Sequence, residues 1–208
     1  MTYPTSLLLL PDISGFTAFV HETALEHSQY IISGLLDTLI EADALDLTVA
    51  EIEGDAVLFY QEGRVPSAGQ VLAQAHAFGA AFYAWIDAYM RTCDCGCAAC
   101  RSVARLSLKV VAHAGPLGFT TVRRQRKPFG ETVVVAHRLL KNNIPGHEYL
   151  LLTEAVLGRP APTLVAPGHE AQRGQATYPE LGEIRFGYLP LPRPFPPTSP
   201  EKATGVYV

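Results

Sequence analysis

Hydrophobic and polar positions change their period several times along this chain, and each change predicts an element. Leu7 to Leu10 is a short unbroken apolar run ended by Pro11-Asp12, the pattern of a buried strand. Phe16 to Val20 then reads as a helix start behind Gly15. From about Ala24 to Ala42, Ile31, Leu35 and Leu39 form one row at spacing four, and Ile32, Leu36 and Ile40 the next, which makes a wide apolar helix face. Leu47 to Ile52 and Ala56 to Tyr60 are rich in β-formers and meet at Gly54-Asp55, as the arms of a tight hairpin would. A second long helix is predicted from about Ala68 to Met90, where Leu72, Ala75, Phe78, Phe82, Ile86 and Tyr89 recur at threes and fours. Trp85 falls on that stripe and reads as core.

Further along, Leu106 to Ala112 alternates as a strand, and Leu117 to Val122 reads as a hairpin arm leading into a basic loop. Thr132 to Asn142 reads as a helix, Tyr149 to Thr153 as a strand, Glu154 to Leu157 as a short helix and Glu183 to Leu189 as a last strand. Between Gly158 and Gly182 the composition turns to Pro, Gly and polar residues, which predicts a long loop. The segment from Pro190 to Pro200 is proline-dense and reads as an extended or mobile tail. The order predicts an α+β fold with helices on an antiparallel-rich sheet. We expect one domain over residues 1–189 and a tail over 190–208.

Composition narrows the function classes. At 208 residues, with 48% apolar and 17% charged, the chain can bury one good core and is not disordered. A net charge of −4 argues against binding to a nucleic-acid backbone. The one basic cluster, Arg123-Arg124-Gln125-Arg126-Lys127, reads as a solvated loop. Leu7 to Leu10 is far too short for a membrane span, and no Lys or Arg precedes it as a secretory signal would require. No membrane partner and a cytoplasmic setting are therefore expected.

All four cysteines fall in Cys93-Asp94-Cys95-Gly96-Cys97-Ala98-Ala99-Cys100. In a reducing compartment such clustering suggests thiolate ligands more than disulfides. Zinc held by Cys93, Cys95, Cys97 and Cys100 is the first reading and an iron–sulfur centre the second. Four ligands within eight residues strain a tetrahedron, so a surface loop of redox-active or idle thiols stands beside both.

Two acidic residues frame the other chemistry. Asp12 ends the first strand just before a Gly-led helix start, and Asp55 sits at the hairpin turn. Carboxylates at strand ends can hold hard divalent cations, and bare amides at a helix start can hold phosphate. Taken singly, Asp12 reads as an N-cap worth about 1 kcal/mol and Asp55 as turn chemistry. Together they read as a nucleotide–metal site.

The segments Leu10-Pro11-Asp12-Ile13-Ser14-Gly15-Phe16-Thr17, Glu53-Gly54-Asp55-Ala56, His113-Ala114-Gly115-Pro116 and Phe129-Gly130-Glu131-Thr132-Val133-Val134-Val135-Ala136-His137-Arg138-Leu139 occur in that order. In sequence and spacing this resembles the catalytic domain of class III nucleotidyl cyclases, over roughly residues 6 to 157. The resemblance implies a ferredoxin-like cyclase fold and a homodimer with the site between subunits. It implies that Asp12 and Asp55 ligate two divalent ions, Mg or Mn, with the Ile13 carbonyl assisting. It further implies that the N–H groups of Gly15, Phe16 and Thr17 take the triphosphate and that Arg138 stabilises the transition state. A divergent branch of that family is the expected place for the chain.

Three positions depart from the adenylyl-cyclase pattern. The adenine-reading lysine is replaced by Glu51, its partner aspartate by Lys127, and the transition-state asparagine by Val134. A carboxylate accepts from guanine N1–H and N2–H₂ while an ammonium donates to O6, so Glu51 and Lys127 lean toward GTP; alternatively they pair with each other. The family's late lysine for the triphosphate has no clear match, with Arg185 the one candidate for a partial stand-in. Val134 cannot donate a hydrogen bond. The sequence therefore favours a purine nucleotide and metal bound with weak or absent cyclisation. An active guanylyl-type cyclase and a dimerisation scaffold with cysteine-bound zinc are the alternatives.

Overall fold

The computed structural model describes residues 2–158, 165–166, 169–191 and 193. In chain order its elements are β1 (Thr5–Ser14), α1 (Phe16–Glu22), α2 (Leu25–Glu41), β2 (Thr48–Glu53), β3 (Ala56–Gln61), α3 (Ala68–Thr92) and α4 (Ala98–Ser102). There follow β4 (Ser107–Pro116), β5 (Gly118–Val122), β6 (Gln125–Phe129), α5 (Glu131–Leu139), β7 (Tyr149–Thr153) and α6 (Glu154–Leu157). The last are β8 (Val165–Ala166), β9 (His169–Glu170), β10 (Gln172–Tyr178) and β11 (Gly182–Pro190). A 3-10 turn at Val103–Arg105 joins α4 to β4.

The main sheet runs β10-β11-β7-β4-β1-β3-β2. β4 and β7 are parallel; the other neighbours are antiparallel. Its β4-β1-β3-β2 half is a βαββαβ unit, with α1 and α2 linking β1 to β2 and α3 linking β3 to β4. This is the α+β arrangement expected from the sequence.

The unbroken Leu7–Leu10 run has a direct cause. Leu7, Leu9 and Ile13 pack with Ile31 and Leu35 of α2 and Phe78 and Phe82 of α3. Leu8 and Leu10 point the other way, to Val135, Ala136 and Leu139 of α5. A central strand covered on both faces needs apolar residues at every position. Gly34 lets the long helices approach, since a Cβ there would meet the Trp85 ring at 2.5 Å. Trp85 itself is partly buried and stacks on Tyr89 with ring centroids 5.3 Å apart.

Four local expectations change. The basic loop is instead the positive-φ turn Arg123-Arg124 followed by strand β6. Within the predicted 158–182 loop, β10 pairs with β11 along the sheet edge. Strands β6 and β10 are polar and largely exposed, so neither carries the hydrophobic alternation that marks a strand. α5 ends at Leu139 and not Asn142, because the Asn142 side chain donates to the Leu139 carbonyl and accepts from the Ile144 N–H. The tail begins packed: Leu191 is buried, and Arg193 donates to the Ala104 and Leu106 carbonyls. Residues 194–208 lie outside those described. Among the described residues no helix is long and apolar enough to cross a membrane.

His113 on β4 sits 2.9 Å from the Thr153 hydroxyl, and burial pushes its pKa down to about 4. The fold thus prefers the neutral ring. Its contribution is complete above the ordinary value of 6.5 and is lost as pH falls toward the folded value. Relative to His113→Gln, the wild type is expected to lose about 3 kcal/mol of unfolding free energy over that interval. Urea titrations of both proteins at several pH values check this; parallel pH profiles would exclude it.

Candidate functional site

Strand alternation carries Asp12 to the same face as Leu8 and Leu10, the face covered by α5. In register it stands opposite Lys109 on β4 and Ala56 on β3. Asp55 immediately precedes Ala56, and its carbonyl accepts from the Ile13 N–H at 3.0 Å. The Ile13 side chain is in the core, so only its backbone faces the site. The chain then turns at Gly15, whose φ of 90° favours glycine, into α1, which starts without a side-chain cap.

Asp12, Asp55 and the Gly15-Phe16-Thr17 turn line one open cleft of about 1040 Å³. Arg138, in the last turn of α5, lines it too, and the Tyr178 hydroxyl donates to the Arg138 carbonyl at 3.0 Å. Val134 lies one turn earlier on α5, is 48% exposed, and presents a methyl surface to the cleft.

The two carboxylates are electrostatically strained in the same direction. Burial pushes the Asp12 carboxyl above its ordinary range, and the charge and hydrogen bond of Lys109 offset this only in part. Burial also raises Asp55, and the Asp12 charge raises it further, against the lowering effects of its own backbone N–H and Lys109. The Lys109 ammonium lies 3.1 Å from Asp12 and donates to the Leu140 carbonyl at 3.2 Å. A resident cation therefore stands against one carboxylate, yet the cleft in front of it stays open.

Several lining residues were not singled out from sequence. Lys109, Arg105 and Lys141 bring three cations to the cleft, and Glu53 brings a third carboxylate, 3.5 Å from the His137 ring. The signal for Lys109 was available: it is the one charge inside the apolar run Leu106 to Ala112. Glu51 and Lys127 are not in the cleft lining; they form an ion pair with each other at 2.6 Å. Arg185 is likewise outside the lining and pairs with Glu183 at 2.6 Å. The cysteines are elsewhere, at the C-terminal end of α3. Cys93 and Cys100 are disulfide-bonded, while Cys95 and Cys97 are free. Hydrogen bonds from the Cys100 N–H, the Cys95 thiol and His27 pull Cys97 down to about 6.

The family model described as "Protein of unknown function (DUF2652)" matches residues 32–149. The chain belongs to that family. An uncharacterized protein of Mycobacterium tuberculosis is 33% identical to this DUF2652 chain over 122 residues, 59% of the chain and 57% of the relative. The chain thus spans little more than half the length of that relative.

Solved structures extend the comparison to the fold. The catalytic core of a rhodopsin-guanylyl cyclase with converted specificity, in complex with ATPalphaS, superposes with a TM-score of 0.64 at 16% identity. That match covers 90% of this chain and 96% of the other. The guanylate cyclase domain of RhGC from Catenaria anguillulae, in complex with GTP, gives 0.60 at 16% identity over 90% and 97% of the two chains. A bacterial light-regulated adenylyl cyclase gives 0.57 at 14% identity over 89% and 90%. This DUF2652 protein has the fold of class III nucleotidyl cyclase catalytic domains.

Proposed function

We propose that the cleft binds a purine nucleoside triphosphate together with divalent metal at Asp12 and Asp55, in a homodimer with weak or absent cyclase turnover. The observation that carries this reading is the convergence of both aspartates on the cleft that also contains Arg138 and the Gly15-Phe16-Thr17 turn. The donor set suits Mg or Mn: carboxylate oxygens, joined by the Ile13 carbonyl, are hard ligands. Both carboxyls are held above their ordinary range, so a nearby cation offsets an unfavourable charge that Lys109 offsets only in part. Bound metal would supply Lewis-acid charge to the phosphate oxygens.

The chain's own part is binding and orientation. Arg105, Arg138 and Lys141 offer positive charge to a polyphosphate across the cleft. Val134 offers no hydrogen bond at the position from which the cyclase resemblance expects a transition-state donor. A dimer is favoured by exposed apolar residues on contiguous elements: Val49 and Ile52 on β2, Val122 and Phe129 on the β5–β6 hairpin, and Val134 on α5. Glu51 and Lys127 can read guanine only by exchanging their mutual ion pair for hydrogen bonds to the base.

Calorimetry with GTP and ATP in the presence of manganese tests the reading. Binding of either nucleotide that vanishes when manganese is omitted is expected, with GTP tighter. Equal affinities would discard the guanine preference. Absence of heat with both at millimolar concentration would overturn the nucleotide reading and leave the dimerisation scaffold.

A further inference from the structure

The segment that follows α3 brings its sulfurs together. Cys97 Sγ lies 3.5 Å from Cys100 Sγ, and Cys100 Sγ lies 3.9 Å from Cys95 Sγ. A fifth group comes from elsewhere in the chain: His27 Nδ1, on the first turn of α2, is 3.1 Å from Cys97 Sγ. The ligand atoms of His27, Cys95 and Cys97 all lie within 4.8 Å of one another, as do those of Cys93, Cys95 and Cys100. Sulfurs bound to one tetrahedral zinc at about 2.3 Å are separated by about 3.8 Å. The two separations, 3.5 and 3.9 Å, fall on either side of that value.

We propose that, when Cys93 and Cys100 are reduced, Cys95, Cys97, Cys100 and His27 bind one structural zinc ion. Four cysteines within eight residues cannot easily surround an ion, because the short chain approaches from one side. His27 removes that difficulty by approaching from α2, seventy residues away in sequence. It is exposed, and so is Cys95, which leaves an entry path for the ion. Cys93 Sγ is the disulfide partner of Cys100 in the oxidised loop, 3.7 Å from the Tyr89 hydroxyl and 3.8 Å from the Cys95 carbonyl, and its replacement in the test below separates it from the ligand set.

The surroundings fit a bound thiolate cluster. Three thiolates and a neutral imidazole give the zinc site a net charge of −1, and Arg101 donates to the Gly96 carbonyl inside the same loop. The Tyr89 hydroxyl, 3.4 Å from Cys100 Sγ, can donate to that thiolate and fix its orientation. With the Cys93–Cys100 disulfide closed, Cys100 is no longer a thiolate, and only His27, Cys95 and Cys97 remain as ligands. The disulfide and the complete site are mutually exclusive forms of one loop. Zinc would clamp α2 to the α3–α4 segment, whose continuation carries Arg105 to its ion pair with Glu22 on α1.

The test is metal analysis of full-length protein purified with a reducing agent and without chelators, followed by cobalt substitution. One zinc per chain is expected in the wild type and in Cys93→Ser, falling to background in Cys97→Ser and His27→Ala. The cobalt form should show the visible d–d bands of a tetrahedral thiolate–imidazole site. Both substituted side chains lie near the surface, and circular dichroism verifies that the variants are folded. Loss of zinc in Cys93→Ser with retention in His27→Ala would replace the histidine by an all-cysteine site and overturn the assignment. Iron with acid-labile sulfide, or a reduced wild type that takes up no added zinc, would overturn it as well.

Discussion

Asp55→Asn is expected to abolish manganese-dependent nucleotide binding and to raise the thermal midpoint of the free protein. The two effects share one cause. Asp55 is held above its ordinary carboxyl range first by burial and then by the charge of Asp12. For such a group, the neutral form is the one the fold prefers. Its contribution to stability is complete below the unfolded carboxyl value and is lost as pH rises through the folded value, so at neutral pH the wild type carries the whole penalty. Asn keeps an acceptor for the backbone N–H while removing the charge. Relief of that burial and charge repulsion should therefore raise the thermal midpoint of the free variant at neutral pH. The same change would take a ligand from the proposed metal, where losing even a supporting partner typically weakens affinity about 10–100-fold. Calorimetry and thermal unfolding on the two proteins check both halves. Manganese with nucleotide should raise the wild-type midpoint but not that of the variant. The difference between the free proteins should close as pH falls through the carboxyl range. A variant that is less stable at neutral pH, or that still binds, would remove Asp55 from the site.

The parts of this molecule that were legible in its sequence are those in which packing writes a period. β1, α2, β3, α3, β4 and β7 each bury a face, so their apolar positions recur as the geometry requires. β6 and β10 bury little and pair by backbone alone, so their side chains left no pattern to read. In the cleft, Asp12, Asp55 and Arg138 stood in motifs, whereas Arg105 and Lys141 are ordinary surface cations until the fold brings them to one opening. His27 was invisible for a related reason. Nothing near it in sequence distinguishes it, and only the packing of α2 beside the cysteine segment gives it a partner. The Glu51–Lys127 pairing was foreseeable as a possibility from charge exchange, but which of its two readings holds in the free chain depended on their proximity.

Val134→Asn is expected to raise cyclic nucleotide formation from bound GTP by about 100-fold or more over the wild type. An oriented hydrogen-bond donor at a reacting centre is typically worth about 2.7–4 kcal/mol, a factor of about 100–1,000 in rate. The backbone for such a donor is already in place: Val134 is on α5, one turn before Arg138, and lines the same cleft as Asp12 and Asp55. It is 48% exposed, and Val and Asn have similar helix propensities, so the exchange should leave the fold intact. The gain should appear in kcat while nucleotide affinity stays near the wild-type value, because the added donor acts on charge that develops only during reaction. Adding Arg138→Ala to Val134→Asn should return the rate to the wild-type level, since the guanidinium and the new amide would act on the same phosphate. Mass spectrometry of the product, with GTP and ATP compared in manganese, reads the outcome. A variant that binds nucleotide as the wild type does but forms no more product would mean that the reacting groups are not aligned in this cleft. Binding and conformation would then be what the aspartates and Arg138 serve. High turnover in the wild type itself would instead make Val134 irrelevant and establish the active guanylyl-type enzyme.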